Sequence, residues 1–309
     1  MKKVVVTGAN GFVGQYLTKA LTDRGYQVWA VVKDTDEDIS GISYPSVQIV
    51  YCDLMAIAKL PNIIHENEFE MFFHLAWAGS SGALRKNFDL QLENAKASGA
   101  AVIAAAKLGC KRFIGAGSVT ELMYRDYLHE NYSEPEMVCC YAIGKISAEY
   151  ICRCLCKEYD VEFVWGYLSN FYGVGDLTQN FVNFVIKTYL SGESPALTSG
   201  EQLADFMYVS DIARALMMLG EAGQPGCNYY VGFGSPKPLK YFVEIMNKVV
   251  NKDIDSGLGR KQFYGRSIDF EQIDLHQLSR DTGFCPQINF ADGIKMTAEW
   301  LKNGDRGIL

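Results

Sequence analysis

Tyr141-Ala142-Ile143-Gly144-Lys145 places a phenol and an amine four residues apart. On a helix, positions i and i+4 share a face, so Lys145 is expected beneath Tyr141. A phenol ordinarily ionises near about pH 10, too high for proton transfer at neutral pH. A neighbouring ammonium favours the phenolate and lowers that value. Tyr141 then becomes a general acid/base suited to a carbonyl or an alcohol. Ser118, just past the strand-like run Arg112–Ala116, offers a second hydroxyl to the same substrate oxygen. Taken alone, Tyr-x-x-x-Lys also describes an ordinary surface pair, so the elements around it decide its meaning.

Those elements begin with Thr7-Gly8-Ala9-Asn10-Gly11-Phe12-Val13-Gly14, which follows the strand-like Lys3–Val6 and opens a helical pattern from Gly14 to Arg24. Glycines at 8, 11 and 14 permit a tight turn and close backbone approach. The helix that follows aims free N–H groups and its positive end at whatever the turn holds. In this context the segment reads as a cradle for a dinucleotide pyrophosphate, with Asn10, Phe12 and Val13 among its lining residues. The charge of an oxidised nicotinamide would further favour the Tyr141 phenolate, and Lys145 would hold the nicotinamide ribose. Asp53-Leu54, after the strand-like Val47–Tyr51, is read as an adenine contact or as a loop or N-cap aspartate. His74-Leu75-Ala76, with Ala78 beyond, ends the apolar Met71–Leu75, where small residues let backbone approach a cofactor. Lys33 follows the strand-like Gln27–Val32. A basic residue there suits a 2′-phosphate and an acidic one a 2′-hydroxyl. Val32 brings no carboxylate, although Asp34 lies just beyond. The cofactor is therefore expected to be NADP or NAD, with NADP favoured by Lys33.

Strand and helix patterns alternate through the first half, with helices read at Leu90–Leu108 and Tyr141–Glu158 and a further strand at Glu162–Gly166. Repeated βα units imply an α/β fold, a Rossmann-type doubly wound parallel sheet. After residue 170 the alternation fails. We expect residues 1–167, with about 205–232, to form the cofactor-binding domain. Residues 168–204 and 233–309 are expected to form a smaller C-terminal substrate-binding domain over the crevice at the strand ends.

Composition narrows the alternatives. The 309 residues carry a net charge of −7, which argues against a nucleic-acid surface. No apolar run of some 18 residues suggests a spanning helix, and the start lacks the features of a signal peptide. A cytoplasmic protein with no membrane or nucleic-acid partner is expected. The nine cysteines follow no zinc spacing and read as buried or partly buried reduced thiols; no metal site is expected.

Together these segments resemble the extended short-chain dehydrogenases/reductases, specifically the NAD(P)-dependent nucleotide-sugar epimerase/dehydratase family. TGANGFVG, Asp53-Leu54, HLAW at 74–77, Ser118 and YAIGK match in order. So do Asn170-Phe171-Tyr172-Gly173, the stretch Asp205-Phe206-Met207-Tyr208-Val209-Ser210-Asp211, and Gly283-Phe284-Cys285-Pro286 with Gly293-Ile294. The resemblance covers essentially the whole chain. It implies Ser118, Tyr141 and Lys145 as a catalytic triad and Asn94 as a helper near the cofactor. It also implies Ser118, Thr120, Glu121, Asn170 and Arg266 on the substrate side.

Family dehydratases carry a glutamate two residues after the triad hydroxyl. Here Thr120 holds that place and Glu121 follows it, so dehydration is disfavoured. Glu121 is read equally as a substrate-hydroxyl ligand or as a salt-bridged loop carboxylate. The chain departs from the family pattern at Ala204, where an arginine usually binds the substrate diphosphate, at Val174, where a proline is usual, and at Tyr167, where an arginine is usual. Arg266, Arg260 or Lys261 are the candidate replacements. The expected reaction is 4-epimerisation or 4-keto reduction of a nucleotide-linked hexose. Alternatives are reduction of a small aldehyde or ketone, or a cofactor-sensing module without chemistry. The family commonly forms a homodimer through the two long helices; Ile146, Tyr150, Ile151 and Leu155 suit such a face or the core equally.

Overall fold

The computed structural model describes residues 2–129 and 136–304. Seven strands form one parallel sheet: β1 Lys3–Thr7, β2 Gln27–Val32, β3 Val47–Tyr51, β4 Met71–His74, β5 Arg112–Ser118, β6 Glu162–Leu168 and β7 Cys227–Val231. Their order is β3-β2-β1-β4-β5-β6-β7, every neighbouring pair parallel. The chain winds outward from β1 in one direction, then returns to β4 and winds in the other. A crevice opens at the carboxyl ends of β1 and β4, where the winding reverses.

Among the described residues nine α-helices of six residues or more flank the sheet and its extension; the first is α1 Phe12–Asp23, and eight follow. These are α2 Phe88–Lys107, α3 Val119–His129, α4 Cys139–Glu158, α5 Phe181–Leu190, α6 Val209–Ala222, α7 Leu239–Val250, α8 Gln277–Thr282 and α9 Phe290–Lys302. Strand side chains alternate between two faces. Val4, Val6, Val28 and Ala30 pack with Leu17 and Leu21 of α1 and Leu216 and Leu219 of α6. Val5, Trp29, Val31 and Phe72 pack on the other face with Ala101 and Ala105 of α2 and Ala148 and Cys152 of α4. The alanines of α2 let it lie close to α4, so the segment bearing Tyr141 and Lys145 is fixed against the sheet.

Beyond β6 the chain makes two small ladders, Asn170–Tyr172 with Phe206–Tyr208 and Leu203–Ala204 with Lys237–Pro238. With α5, α7 and α9 they enclose a separate apolar cluster that includes Tyr172, Ile186, Tyr189, Phe206, Phe242 and Ile294. Phe12, Val13 and Tyr16 of α1 lean on that cluster. Tyr16 Oη also donates to the Val174 carbonyl at 2.9 Å. Between Phe206–Tyr208 and Lys237–Pro238 the chain returns to the main sheet as α6 and β7, the latter an element the sequence reading did not resolve as a strand. Among the described residues no helix is long and apolar enough to cross a membrane.

Candidate active site

The glycine segment forms a tight turn between β1 and α1. Gly8 has φ +66°, and a Cβ there would stand 2.9 Å from the Ala76 amide nitrogen. Gly14 is tighter still: a Cβ would lie 2.0 Å from the Gly8 carbonyl oxygen. Gly11 precedes α1 with no side-chain cap, and the first bond back along the helix is Gln15 N–H to Gly11 O, 3.0 Å. The amides of Phe12, Val13 and Gly14 therefore precede the helical ladder. A crowded turn followed by uncapped amides fits a pyrophosphate. The Asn10 side chain is engaged there, its Nδ2 donating to Glu37 Oε2 at 2.9 Å. Phe12 and Val13 contribute their backbone here while their side chains pack on the C-terminal cluster.

The end of β4 is fixed by a buried hydrogen-bond chain. Ala76 N–H donates to Thr7 Oγ1 at 3.3 Å, and Thr7 Oγ1 meets His74 Nδ1 at 2.9 Å. His74 Nε2 meets Ser98 Oγ at 3.1 Å, and Ser98 donates onward to the Asn94 carbonyl at 2.9 Å. Complete burial pushes the His74 imidazole down to about 3, so it is neutral at physiological pH and serves as a connector. Asn94 also clasps Ala78 twice, accepting from its N–H at 2.9 Å and donating to its carbonyl at 2.8 Å. Leu75, Ala76 and Ala78 thus hold one backbone course beside the glycine turn. Asp53 caps the turn Leu54–Lys59, its carboxylate accepting from Met55 N–H at 2.7 Å. Lys33 is exposed just past β2, while Asp34 accepts from the Asp36 N–H at 3.1 Å.

Ser118, Tyr141 and Lys145 come together beside the crevice. Ser118 and the Tyr141 phenol are hydrogen-bonded, and both Tyr141 and Lys145 are buried. Lys145 does not point at the phenol. Its Nζ donates to the Ala116 carbonyl at 2.7 Å and lies 3.7 Å from the centre of the Trp77 ring. Burial pushes the Lys145 amine below its ordinary range. The Tyr141 phenol lies above its usual value because burial outweighs Arg85 and the Ser118 bond, which both pull it down. The expectation that Lys145 supplies that pull is corrected: the guanidinium of Arg85 stands 4.1 Å from the centre of the Tyr141 ring. Arg85 escaped sequence reasoning because a single arginine in an irregular loop obeys no spacing rule.

Glu121 requires a second correction. It is fully buried, accepting from Ser118 N–H at 2.6 Å and from the Trp165 indole at 3.3 Å. Ser118 Oγ in turn accepts from Thr120 N–H at 3.2 Å. Ser118-Val119-Thr120-Glu121 is thus a capping box at the start of α3. Glu121 is neither open to a substrate hydroxyl nor in an ion pair with any described residue. Burial holds its carboxyl well above the usual range. The Ser-x-x-Glu spacing was the signal that could have revealed this role.

Thr120 bridges Ser118, whose Oγ donates to it at 3.0 Å, and Arg85, whose Nη2 donates at 3.1 Å. Asn170 is exposed and its Nδ2 reaches the Asp205 carbonyl at 3.4 Å. Asp205 is buried and accepts from Tyr230 Oη and Gly234 N–H; Ala204 beside it is buried and apolar. Arg266 borders a cavity of about 740 Å³ together with Tyr124, Cys139 and Tyr264. That cavity adjoins α3 and the start of α4. Among the cysteines, Cys154 and Cys285 are exposed rather than buried.

A family model described as the NAD dependent epimerase/dehydratase family matches residues 4–232. The chain belongs to that family. The matched span contains the glycine turn, the β4 end, Ser118, Tyr141 and Lys145, so the family features and the assembled crevice coincide. Among curated relatives, dTDP-glucose 4,6-dehydratase of Escherichia coli is 26% identical over 171 residues, 52% of this chain. The chain spans only 46% of that relative's length. A dTDP-6-deoxy-L-talose 4-dehydrogenase (NAD(+)) of Aggregatibacter actinomycetemcomitans is 25% identical over 265 residues, covering 78% of this chain and 88% of the relative. Among solved structures, a UDP-N-acetylglucosamine 4-epimerase from Methanobrevibacter ruminantium M1, in complex with UDP-N-acetylmuramic acid, aligns at a TM-score of 0.79. Its identity is 25%, with 98% of each chain covered.

Proposed function

We propose that this epimerase/dehydratase family member moves hydride at carbon 4 of a nucleotide-linked hexose, as a 4-ketoreductase. The observation that carries the reading is the bonded Ser118–Tyr141 pair with the Lys145 amine beside it, at the mouth of a crevice that fits a dinucleotide. Bound there, NADP(H) supplies the hydride. Ser118 and Tyr141 hold the carbon 4 oxygen, and Tyr141 donates its proton to that oxygen as it becomes a hydroxyl. Lys145 has three donors; one goes to Ala116 O, leaving others for the nicotinamide ribose. Glu121, buried behind Ser118 as a helix cap, is not open to a substrate carbon, which supports reduction over dehydration. The dehydrogenase relative that aligns over most of both chains supports the same choice.

Two features favour NADP: Lys33 is exposed at the end of β2, and the Asp34 carboxylate is engaged within its own loop. We also propose the two-domain division at residues 167, 205 and 232, since α6 and β7 return to the main sheet. Epimerisation is the second reading, favoured by full-length likeness to a 4-epimerase structure. The cofactor content of freshly purified protein separates the two. Reduction predicts an empty site that binds NADPH reversibly and oxidises it only when a 4-keto nucleotide-sugar is added. Retained, near-stoichiometric NAD would mean epimerisation. Oxidation of NADPH by simple aldehydes but not by nucleotide-linked ketones would reject both.

We further propose a homodimer through α2 and α4. Leu92, Tyr150 and Ile151 are exposed there around a shallow apolar hollow of about 550 Å³. Sedimentation velocity at micromolar concentration should give the mass of two chains; a single-chain mass rejects the dimer.

A further inference from the structure

We propose that Arg85 is a positioning residue that holds the Tyr141 ring in place and stabilises its ionised form. This rests on Tyr141 being the group that transfers the proton. Arg85 lies in the 3-10 segment Gly82–Lys86 between β4 and α2. It reaches Tyr141 by two routes. Its guanidinium carbon stands 4.1 Å from the ring centre. Its Nη2 also donates to Thr120 Oγ1, which accepts from Ser118 Oγ, and Ser118 is bonded to the phenol.

The charge around Arg85 is incomplete. Among the described residues no carboxylate pairs with it, and its Nε is buried without a hydrogen bond. A partly buried cation is ordinarily matched by an anion. Here the group it covers is the one that becomes an anion when it gives up its proton. A cation over an aromatic face is already attracted by the ring quadrupole, and a phenolate adds a full negative charge to that attraction. Arginine suits the place better than lysine, since a planar guanidinium stacks through its face while its edge still donates. Two other charged groups bear on the site. Glu121, on α3 behind Ser118, opposes ionisation of Tyr141. Lys145, one turn along the same helix, directs its ammonium to Ala116 O and Trp77.

The test needs no substrate. Full-length protein carrying 3,5-difluorotyrosine at position 141 gives a fluorine NMR signal whose pH midpoint reports that phenol alone, within the range where the protein is folded. Arg85→Gln is expected to raise the midpoint by about one pH unit, a tenfold change in the ionisation equilibrium. Arg85→Lys should give a smaller rise, and Thr120→Val, which removes only the edge contact, a smaller one still. An unchanged midpoint in Arg85→Gln overturns the proposal. Should circular dichroism show that Arg85→Gln does not fold, unchanged midpoints in both other variants overturn it equally. Failure of the proposed reaction would appear separately, as inactivity of the unaltered protein towards 4-keto nucleotide-sugars.

Discussion

Tyr141→Phe is expected to lower turnover about a hundredfold or more, the usual contribution of a positioned acid/base, while NADPH affinity changes little. The substitution removes one oxygen and leaves the ring. The edge-on contact with Trp77, at 6.1 Å between ring centres, and the stacking of Arg85 depend on the ring and should survive. What is lost is the proton that neutralises the carbon 4 oxygen as hydride arrives. Stopped-flow fluorescence of NADPH, with a 4-keto nucleotide-sugar as acceptor, separates binding from chemistry. Turnover equal to that of the unaltered protein would sink the oxidoreductase reading. A cofactor-sensing module makes the opposite forecast: the same variant would capture its partner normally in the presence of NADPH.

Gly14→Ala is expected to have the larger effect on the fold of the site. The added carbon would stand 2.0 Å from the Gly8 carbonyl and 2.8 Å from the Ala9 carbonyl carbon, both of them backbone, so α1 or the turn must move. Overpacking of this kind costs about 1–3 kcal/mol. Each 1.4 kcal/mol lost from binding is about a tenfold loss of affinity, so a cost of that size borne by the site should weaken NADPH binding by about fivefold to a hundredfold, and the melting temperature should fall. Gly11→Ala provides the contrast. Its new carbon would meet only the Gly8 carbonyl, at 3.2 Å, and its backbone is ordinary for alanine. Equal NADPH affinities in the two variants, measured by fluorescence titration, would show that the turn does not bind the cofactor.

The legible and illegible parts of this chain differ for physical reasons. β1 to β6 could be read because each is a short, mostly apolar run, and the small offsets at their ends are ordinary fraying. β7 was hidden. Cys227-Asn228-Tyr229-Tyr230-Val231 mixes polar and apolar residues at the sheet's edge and buries three consecutive residues, so it lacks the alternation or the continuous apolar run that marks a strand. Tyr141, Lys145 and Ser118 could be recognised because their roles follow from type and spacing. Their pairing could not, because three-dimensional neighbours chose it: Ala116 O and Trp77 claimed the lysine, and an arginine from another segment reached the tyrosine. Glu121 was legible as a helix cap from Ser-x-x-Glu, but the same carboxylate close behind a catalytic hydroxyl also fits a substrate ligand, and only its burial separates the two roles.

The late arrival of β7 has a consequence for biosynthesis. A chain emerging from the ribosome completes β6 before it makes the ladder of Asn170–Tyr172 with Phe206–Tyr208, α5 and α6, and only then the strand that covers β6's free edge. Through that interval, Phe163, Val164, Trp165 and Tyr167 line an unpaired parallel strand. Unpaired apolar edges recruit other chains, and slow long-range pairing prolongs the exposure. Expression yield should therefore depend on how quickly the segment after Leu168 is translated, and truncation there would leave a sticky intermediate rather than a smaller soluble domain.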